Sequence, residues 1–218
     1  QNRNFQDYII FRCCQVKHNK HKLMEKAVIR KEMRTILQHL SAEDIQKKSA
    51  LIAKRLFRTR WWNEAGVILA FCSMANEVDT STIISVALGE AKTVGVPRVE
   101  GNDLIFHHIR SLENEEEFTG GYCGIKEPAP SLPLLDFSSM GSQKCLIITP
   151  GLAFDRKKNR LGRGKGFYDR FLSQVRKYHG LRIVTVGVCF AEQLLEYVPV
   201  GDHDHPVDGV ITEQEVIY

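Results

Sequence analysis

Residues 162–169 are the part of the sequence whose residue types and spacing are best suited to chemistry: Gly-Arg-Gly-Lys-Gly-Phe-Tyr-Asp. Glycine has no Cβ atom, so the alternate glycines let the backbone adopt positive φ angles and approach a ligand closely. Consecutive backbone N–H groups ahead of a helix attract anions. Arg163 and Lys165 add formal charge, and a planar guanidinium suits phosphate. The stretch is therefore predicted to bind phosphate.

Two other interpretations of this stretch are a solvated basic turn and an arginine–glycine segment that binds nucleic acid. The stretch matches neither the Walker A pattern nor the G-x-G-x-x-G pattern. Arginine–glycine segments are repetitive and disordered, whereas this stretch occurs once, between a predicted strand and a predicted helix. That context favours a phosphate site.

Three carboxylates are candidates for the same site. Asp169 closes the glycine stretch, where it would reach a Mg²⁺ ion held by bound phosphates, although an ordinary carboxylate in the first turn of a helix explains it equally well. Glu77 follows the first predicted strand, at the edge where open α/β sheets bind ligands. It could bind an N–H group of a substrate, cap a helix or face solvent. His203-Asp204-His205 lacks a third ligand at zinc spacing, so we interpret Asp204 as an outer carboxylate for Mg²⁺.

The elements that must position these residues follow from the apolar pattern. Apolar residues at helical spacing predict a helix over residues 24–40, and Ser41 is placed to cap a second helix. Strands are predicted at residues 67–72, 93–96 (ended by Pro97), 104–109, 145–149, 183–188 and 207–212, and helices at 82–90, 167–177 and 191–197. Continuous apolar strands are typical of sheets covered on both faces. The predicted fold is three-layer α/β: a Rossmann-like open sheet, mostly parallel, with helices on both faces.

The composition is that of a globular protein, with 43% hydrophobic and 26% charged residues. No run approaches the roughly 18–20 apolar residues of a membrane helix, and six scattered cysteines favour a reducing compartment. The first 40 residues hold nine basic and three acidic residues, so the net charge of +4 belongs to that end. We interpret residues 1–23 as a poorly ordered extension, with an organellar transit peptide as the alternative. Residues 24–218 are expected to form one domain.

Several motifs, taken in order, resemble the 5-formyltetrahydrofolate cyclo-ligase family, also called 5,10-methenyltetrahydrofolate synthetases. The matching elements are Lys26–Arg30, Glu77–Thr80, Gly124–Pro128, Thr149–Asp155, Arg160–Asp169 and Val198–Asp204 with Val207-Asp208. The two central elements, P-G-L-A-F-D followed by R-L-G-R-G-K-G-F-Y-D, are the most specific. Phe167 stands where many relatives have tyrosine, which keeps the aromatic ring and removes a hydroxyl.

The resemblance implies an enzyme that uses ATP and Mg²⁺ to convert 5-formyltetrahydrofolate to 5,10-methenyltetrahydrofolate, releasing ADP and phosphate through an N5-iminium phosphate. Phosphoryl transfer depends mainly on positioning and charge stabilisation. It therefore requires no covalent nucleophile on the protein.

The resemblance also implies site residues. ATP would contact Lys26, Ala27, Val28, Ile29, Arg30, Arg160, Leu161, Gly162, Arg163, Gly164, Lys165, Gly166, Phe167 and Tyr168. The folate would lie near Cys72, Glu77, Arg163, Gly164, Lys165, Gly166 and Phe167, and Mg²⁺ would bind Asp169 and Asp204. Arg163 and Lys165 would be catalytic, with Arg163 stabilising the transferred phosphoryl group, and Glu77 would hold the pterin.

The residues alone leave two other functions open. One is a Rossmann-like nucleotide or sugar-phosphate enzyme with unrelated chemistry, and the other is a nucleic-acid-binding protein that uses the basic Gly-rich loop. The resemblance favours small-molecule substrates, no nucleic-acid or membrane partner, and a monomer or weak homodimer. It favours a cytoplasmic location, or a mitochondrial one if residues 1–23 direct import.

Overall fold

The structure is a computed structural model that describes residues 24–121, 126–178 and 180–218. Residues 1–23, predicted to be an extension, lie outside the described residues. The helices are α1 (residues 24–38), α2 (Ala42–Leu56), α3 (Arg60–Glu64), α4 (Ser81–Gly89) and α5 (Phe167–Val175). The strands are β1 (Val67–Leu69), β2 (Thr93–Glu100), β3 (Asp103–Ile109), β4 (Phe118–Gly120), β5 (Lys126–Pro128), β6 (Lys144–Thr149), β7 (Ala153–Asp155), β8 (Arg160–Leu161), β9 (Arg182–Val188), β10 (Leu194–Leu195), β11 (Gly209–Ile211) and β12 (Val216–Ile217).

A seven-stranded sheet in the order β12-β11-β9-β6-β1-β2-β3 forms the centre of the fold. The five inner strands are parallel, and β3 and β12 pair antiparallel at the two edges. Two smaller sheets, β10-β7-β8 and β4-β5, lie outside it. The predicted Rossmann-like, mostly parallel sheet is confirmed.

Both faces of the sheet are covered by helices or loops. Successive side chains of a strand point to opposite faces, so neighbouring residues of one strand belong to different core clusters. Ile68 and Leu146 belong to a buried cluster completed by α1 to α4. Val67 and Ile147 belong to a second cluster, completed by α5 and β3. Strands buried on both faces explain the continuous apolar runs of the sequence, and the three layers agree with the prediction.

The second helix begins where the sequence predicts. The Ser41 side chain accepts a hydrogen bond from the Asp44 backbone N–H at 3.1 Å, and acidic residues occupy the first turn of α2. A side-chain oxygen at this position satisfies an amide that the helix itself cannot. The preceding helix ends at residue 38, two residues earlier than predicted.

Pro97 does not end the second strand, as predicted; β2 continues to Glu100. Pro97 pairs with Phe106 in the antiparallel β2–β3 ladder. The next backbone N–H on its side of the strand, that of Val99, donates to Glu127 Oε1 at 3.3 Å and points away from β3. Because β1 pairs with β2 only as far as Gly95, Pro97 stands at an edge where its missing N–H costs no ladder bond.

The prediction of a helix at residues 191–197 is also wrong. A single 3₁₀ turn, Ala191–Gln193, is followed by strand β10, which pairs in parallel with β7. The Gln193 side chain is buried and donates to the Gly151 carbonyl at 2.8 Å. This contact fixes the chain against the loop after β6, information that local sequence does not contain.

Within residues 24–121, 126–178 and 180–218, no helix is long and apolar enough to cross a membrane.

Candidate active site

The candidate site lies at the carboxyl ends of β1 and β6, where a cavity of about 530 Å³ opens between the sheet and α1. Parallel α/β sheets bind ligands at this edge. Among the residues that the structure describes, seven basic side chains line the cavity, from Lys26, Arg30, Arg34, Lys126, Arg160, Arg163 and Lys165. Four acidic side chains line it too, from Glu77, Glu127, Asp169 and Asp204. A cavity with this surplus of positive charge suits a polyanion.

The glycine loop between β8 and α5 forms one wall of the cavity. Gly164 has φ of 107° and Gly166 has φ of 68°, conformations that residues with a Cβ atom adopt at a cost. Gly166 is the N-cap of α5, which begins at Phe167. The loop therefore leads into the positive end of a helix, as an anion site requires.

Helix α1 holds the glycine loop from the opposite side. Arg30 Nε donates to the Gly162 carbonyl at 2.9 Å, and Arg34 Nη2 lies 3.5 Å from the Arg163 carbonyl. Residues 26, 30 and 34 are four apart, so they share one face of the helix. Burial lowers the pKa of Arg30.

The three residues between Lys26 and Arg30 lie on other faces of α1. Ala27 and Val28 are exposed, and Ile29 packs against the hydrophobic core. None of the three lines the cavity. Their contact with ATP stays a prediction, and it was derived from a contiguous motif in which only the first and last residues face the site.

The two carboxylates predicted to bind Mg²⁺ lie close together. Asp169 Oδ1 accepts from Arg160 Nη2 at 2.8 Å and from the backbone N–H of His205 at 3.3 Å, and His205 follows Asp204 in the chain. Asp204 Oδ2 pairs with Lys26 Nζ and accepts from the Gly201 N–H at 2.7 Å. Each carboxylate therefore has a basic partner from the group predicted to bind ATP.

Two carboxylates beside the glycine loop fit Mg²⁺, which is commonly held by one or two carboxylates together with phosphate oxygens and water. The described residues contain no cluster of three or more His, Cys, Asp and Glu side chains suited to a metal. A metal held by these two carboxylates would thus need further oxygen ligands from a bound substrate or from water.

Arg163 and Glu77 form an ion pair across the cavity. Arg163 Nε and Nη2 donate to Glu77 Oε1 at 3.0 and 2.9 Å, while Glu77 Oε2 accepts from the Met74 backbone N–H at 3.1 Å. Glu77 is in the loop after β1, so this pair links that loop to the glycine loop. The resemblance placed both residues near the folate, and Arg163 also on ATP, but gave no sign of their contact.

Cys72 and Tyr168 lie at the inner end of the cavity. Burial, and next the Glu127 carboxylate, raise the pKa of Cys72 to about 11, so the thiol stays protonated at neutral pH. Burial also raises the pKa of Tyr168, whose hydroxyl has no hydrogen-bond partner within the described chain. The Arg160 guanidinium lies 5.5 Å from the centre of the Tyr168 ring, a cation–π distance.

The turn between β7 and β8 places Arg160 in the site. Asp155 is fully buried, and its Oδ1 accepts from the backbone N–H groups of Lys157 and Asn159, both at 2.9 Å. This closed turn brings the chain back as β8 beside β7. Arg160, only 6% exposed, then points into the cavity.

Most of the predicted site residues line this one cavity: Lys26, Arg30, Cys72, Glu77, Arg160, Leu161, Gly162, Arg163, Gly164, Lys165, Gly166, Phe167, Tyr168, Asp169 and Asp204. The cavity also contains residues that were not predicted: Arg34, Phe71, Met74, Pro97, Val99, Leu104, Lys126, Glu127, Pro150 and Gly151. Helical spacing could have identified Arg34. No local signal indicates Val99 or Leu104, which the β2–β3 pairing brings to the site.

Comparison with known proteins identifies the family. The sequence profile of the 5-formyltetrahydrofolate cyclo-ligase family matches residues 22–213. The chain belongs to this family. It is 31% identical over 198 residues to the mouse 5-formyltetrahydrofolate cyclo-ligase, an alignment that covers 86% of this chain and 93% of the mouse protein.

Further relatives extend the similarity. The mitochondrial 5-formyltetrahydrofolate cyclo-ligase of Arabidopsis thaliana is 30% identical, with 88% of this chain and 76% of the plant protein covered. The solved structure of the Aquifex aeolicus 5,10-methenyltetrahydrofolate synthetase superposes with a TM-score of 0.71 at 29% identity, covering 88% of this chain and 91% of that one. The resemblance derived from the motifs is confirmed.

Proposed function

We propose that this protein is a 5-formyltetrahydrofolate cyclo-ligase, which converts 5-formyltetrahydrofolate to 5,10-methenyltetrahydrofolate at the expense of ATP. The observation that carries the proposal is the cavity in which the glycine loop and the basic face of α1 meet Glu77 and Cys72. The wall formed by the glycine loop and α1 has cations and backbone amides that can bind phosphates. The opposite wall has the Glu77 carboxylate, which can accept hydrogen bonds from the pterin.

The reaction requires activation of a poor leaving group. The formyl oxygen attacks the terminal phosphorus of ATP, the bond from that phosphorus to the bridging oxygen breaks, and ADP leaves. The resulting N5-iminium phosphate is attacked at the formyl carbon by N10, which loses its proton. The new bond from N10 to this carbon closes the five-membered ring, and departure of phosphate from the same carbon leaves the methenyl cation. Charge moves between phosphate oxygens throughout, so positioned cations provide most of the catalysis.

The side chains have distinct roles in this proposal. Lys26, Arg30 and Arg160 hold the phosphates, while Arg163 and Lys165 contact the group in transfer. Glu77 accepts hydrogen bonds from N–H groups of the pterin, as a carboxylate can. Because Arg163 is paired with Glu77, both side chains must exchange partners, or share them, when the substrates bind.

Asp169 and Asp204 are the residues that would hold Mg²⁺. The ion would neutralise charge on the phosphate oxygens during transfer. Release of Arg160 and Lys26 from these carboxylates would leave both cations free for the nucleotide. The exchange keeps every charged group partnered, which a half-buried site requires.

The deciding experiment supplies the purified chain with ATP, Mg²⁺ and 5-formyltetrahydrofolate and follows the near-ultraviolet absorbance of the methenyl product. We expect product and ADP in equal amounts, with none when either substrate is omitted. Folded protein that forms no product would contradict the proposal. Nucleotide binding without product would favour an unrelated nucleotide enzyme instead.

The compartment is a separate proposal, cytoplasmic or mitochondrial, and it depends on residues 1–23, which lie outside the described residues. Fractionation of cells that express the chain with and without those residues tests it.

A further inference from the structure

Arg170, in helix α5, holds the glycine loop from outside the cavity. Its Nη1 donates to the Lys165 carbonyl at 2.9 Å. Its guanidinium lies 5.4 Å from the centre of the Phe167 ring, a cation–π distance. Arg170 lines neither this cavity nor a second cavity of about 540 Å³, which adjoins the first at Cys72 and Met74. The reaction proposed above gives Arg170 no role.

The Arg170 side chain is itself held by the turn between β2 and β3. Nε donates to the Asn102 carbonyl at 3.0 Å, Nη2 donates to the same oxygen, and the Asp103 carboxylate lies 3.8 Å from Nε. A guanidinium is planar and presents its N–H groups in fixed directions. Because Nε and Nη2 are directed at Asn102, the position of Nη1 against the Lys165 carbonyl is fixed as well.

Anchoring of the Lys165 carbonyl orients the next N–H group of the loop. The peptide between Lys165 and Gly166 is trans, so its C=O and N–H groups point in opposite directions. The carbonyl faces Arg170, which lies outside the cavity, so the Gly166 N–H faces the opposite side, toward the cavity that both residues line. Within the described residues this N–H donates no hydrogen bond. It is therefore available to an anion at the start of α5, where the helix dipole is positive.

We propose that Arg170 is a positioning residue, which directs the Gly166 N–H at a phosphate group of ATP by binding the carbonyl of the same peptide. This inference rests on the proposed function. Arg30 also binds a loop carbonyl, that of Gly162, but Arg30 lines the cavity and can contact the nucleotide itself. Apart from the field of its charge, any effect of Arg170 on the nucleotide has to pass through the loop.

Calorimetric titration with ATP and Mg²⁺ separates orientation from charge. Arg170→Ala should lower the affinity for ATP about ten-fold, the loss expected for one hydrogen bond to a charged group. Arg170→Lys keeps the charge, but an ammonium group lacks the planar fork that reaches both carbonyls, so we expect a similar loss. The lysine variant also carries the test if the alanine variant does not fold.

Arg60→Ala is the control for removal of a surface arginine. Arg60 is exposed on α3, which precedes β1 and so lies at the edge of the sheet opposite the site, and it lines neither cavity. This variant should bind ATP as the wild type does.

The amide signals of protein that carries isotope-labelled glycine test the hydrogen bond itself. The Gly166 signal, identified by its loss in Gly166→Ala, should shift downfield when ATP and Mg²⁺ are added to the wild type. In Arg170→Lys, at the same occupancy of the site, the shift should be much smaller. A role of Arg170 in folding alone would leave this shift unchanged.

Wild-type affinity for ATP in Arg170→Lys would show that only the charge of this residue matters, and would overturn the positioning role. A Gly166 shift as large in Arg170→Lys as in the wild type would overturn it too, as would the lack of any shift in wild-type protein that binds ATP. Wild-type protein that binds no ATP contradicts the proposed function itself, and the positioning role with it.

Discussion

Each of the four carboxylates that line the first cavity has a basic partner. Glu77 pairs with Arg163, Asp169 with Arg160 and Asp204 with Lys26, while Glu127 Oε2 lies 3.6 Å from Arg98 Nη1. Such pairing satisfies the carboxylates in the absence of ligands. It also means that a ligand has to compete with a side chain for each of these partners.

The residues that line the site could be predicted from the sequence, but the ion pairs between them could not. Glycine spacing and charge identified the loop from 162 to 169, and the motif order identified Glu77 and Asp204. Pairing depends on side-chain rotamers and on how α1 lies against the loop, neither of which is a local property. Arg160 illustrates this, because its partner Asp169 is nine residues away and its place depends on the Asp155 turn.

Arg163→Ala is expected to lower kcat by about two orders of magnitude or more, the usual effect of removing a group that stabilises transition-state charge. The free energy of unfolding should change by less than about 1 kcal/mol, because the side chain is half-exposed and surface pairs contribute little. Steady-state kinetics and chemical denaturation measure the two quantities.

Arg156→Ala is the control for this substitution, since Arg156 also forms a two-bond pair, with Glu215 at 3.0 and 2.7 Å, and lines neither cavity. It should leave kcat unchanged. Turnover of Arg163→Ala at the wild-type rate would show that another group stabilises the phosphoryl transfer.

Asp204→Asn is expected to raise the Mg²⁺ concentration needed for half-maximal activity, because an amide is a weaker ligand than a carboxylate. The measurement is a metal titration at fixed, saturating ATP. Asp202→Asn, an exposed neighbour outside the cavity, should titrate like wild type. Identical titrations for both variants would remove Asp204 from the metal site.

At the scale of elements, long apolar strands and the capped second helix were predictable because their determinants are local. The predictions of secondary structure are wrong where a contact with a distant part of the chain determines the local conformation. Pro97 was expected to end a strand, and the short partner β1 leaves it on an edge where it is tolerated. The segment from 191 was expected to be helical, and the Gln193 contact with the loop after β6 prevents it.

Gly166→Ala tests the glycine loop as an element. Alanine at a φ of 68° costs about 1 kcal/mol of unfolding free energy, and the new methyl meets only the flexible end of Arg170, at 2.9 Å. Because the strain alters the entry into α5, we expect ATP affinity to fall by about ten-fold as well. Equilibrium denaturation and titration with ATP measure the two effects.

Gly101→Ala is a matched control, since Gly101 has φ of 59° with open space around it and lies outside both cavities. It should lose similar stability and keep ATP affinity. Equal affinity in both variants would show that the left-handed conformation of Gly166 serves folding alone.

At the scale of the whole molecule, the site joins parts of the chain that are distant in sequence. Helix α1, the loop after β1, the glycine loop and the segment at 204 all contribute lining residues. A ligand that bridges them binds the folded state only. It therefore adds to the free energy of unfolding by mass action.

ATP with Mg²⁺ at a hundred times its dissociation constant should stabilise the fold by about 2.7 kcal/mol, which raises Tm by about 5–10 °C for a chain of this size. AMP, which lacks the terminal phosphates, should produce a much smaller rise at the same concentration. A thermal shift assay gives both values. Equal shifts for ATP and AMP would mean that the loop does not bind the terminal phosphates.

The internal ion pairs also determine how the site responds to ionic strength. Seven basic side chains suggest an affinity for nucleotide that falls steeply as salt screens them. Three of the seven, Lys26, Arg160 and Arg163, are paired with carboxylates that line the cavity, so an approaching polyphosphate meets the field of about four unpaired cations. Added salt also weakens the internal pairs that the ligand must displace. Because these two effects oppose each other, we expect the dissociation constant for nucleotide to depend much less on ionic strength than seven unpaired cations would make it.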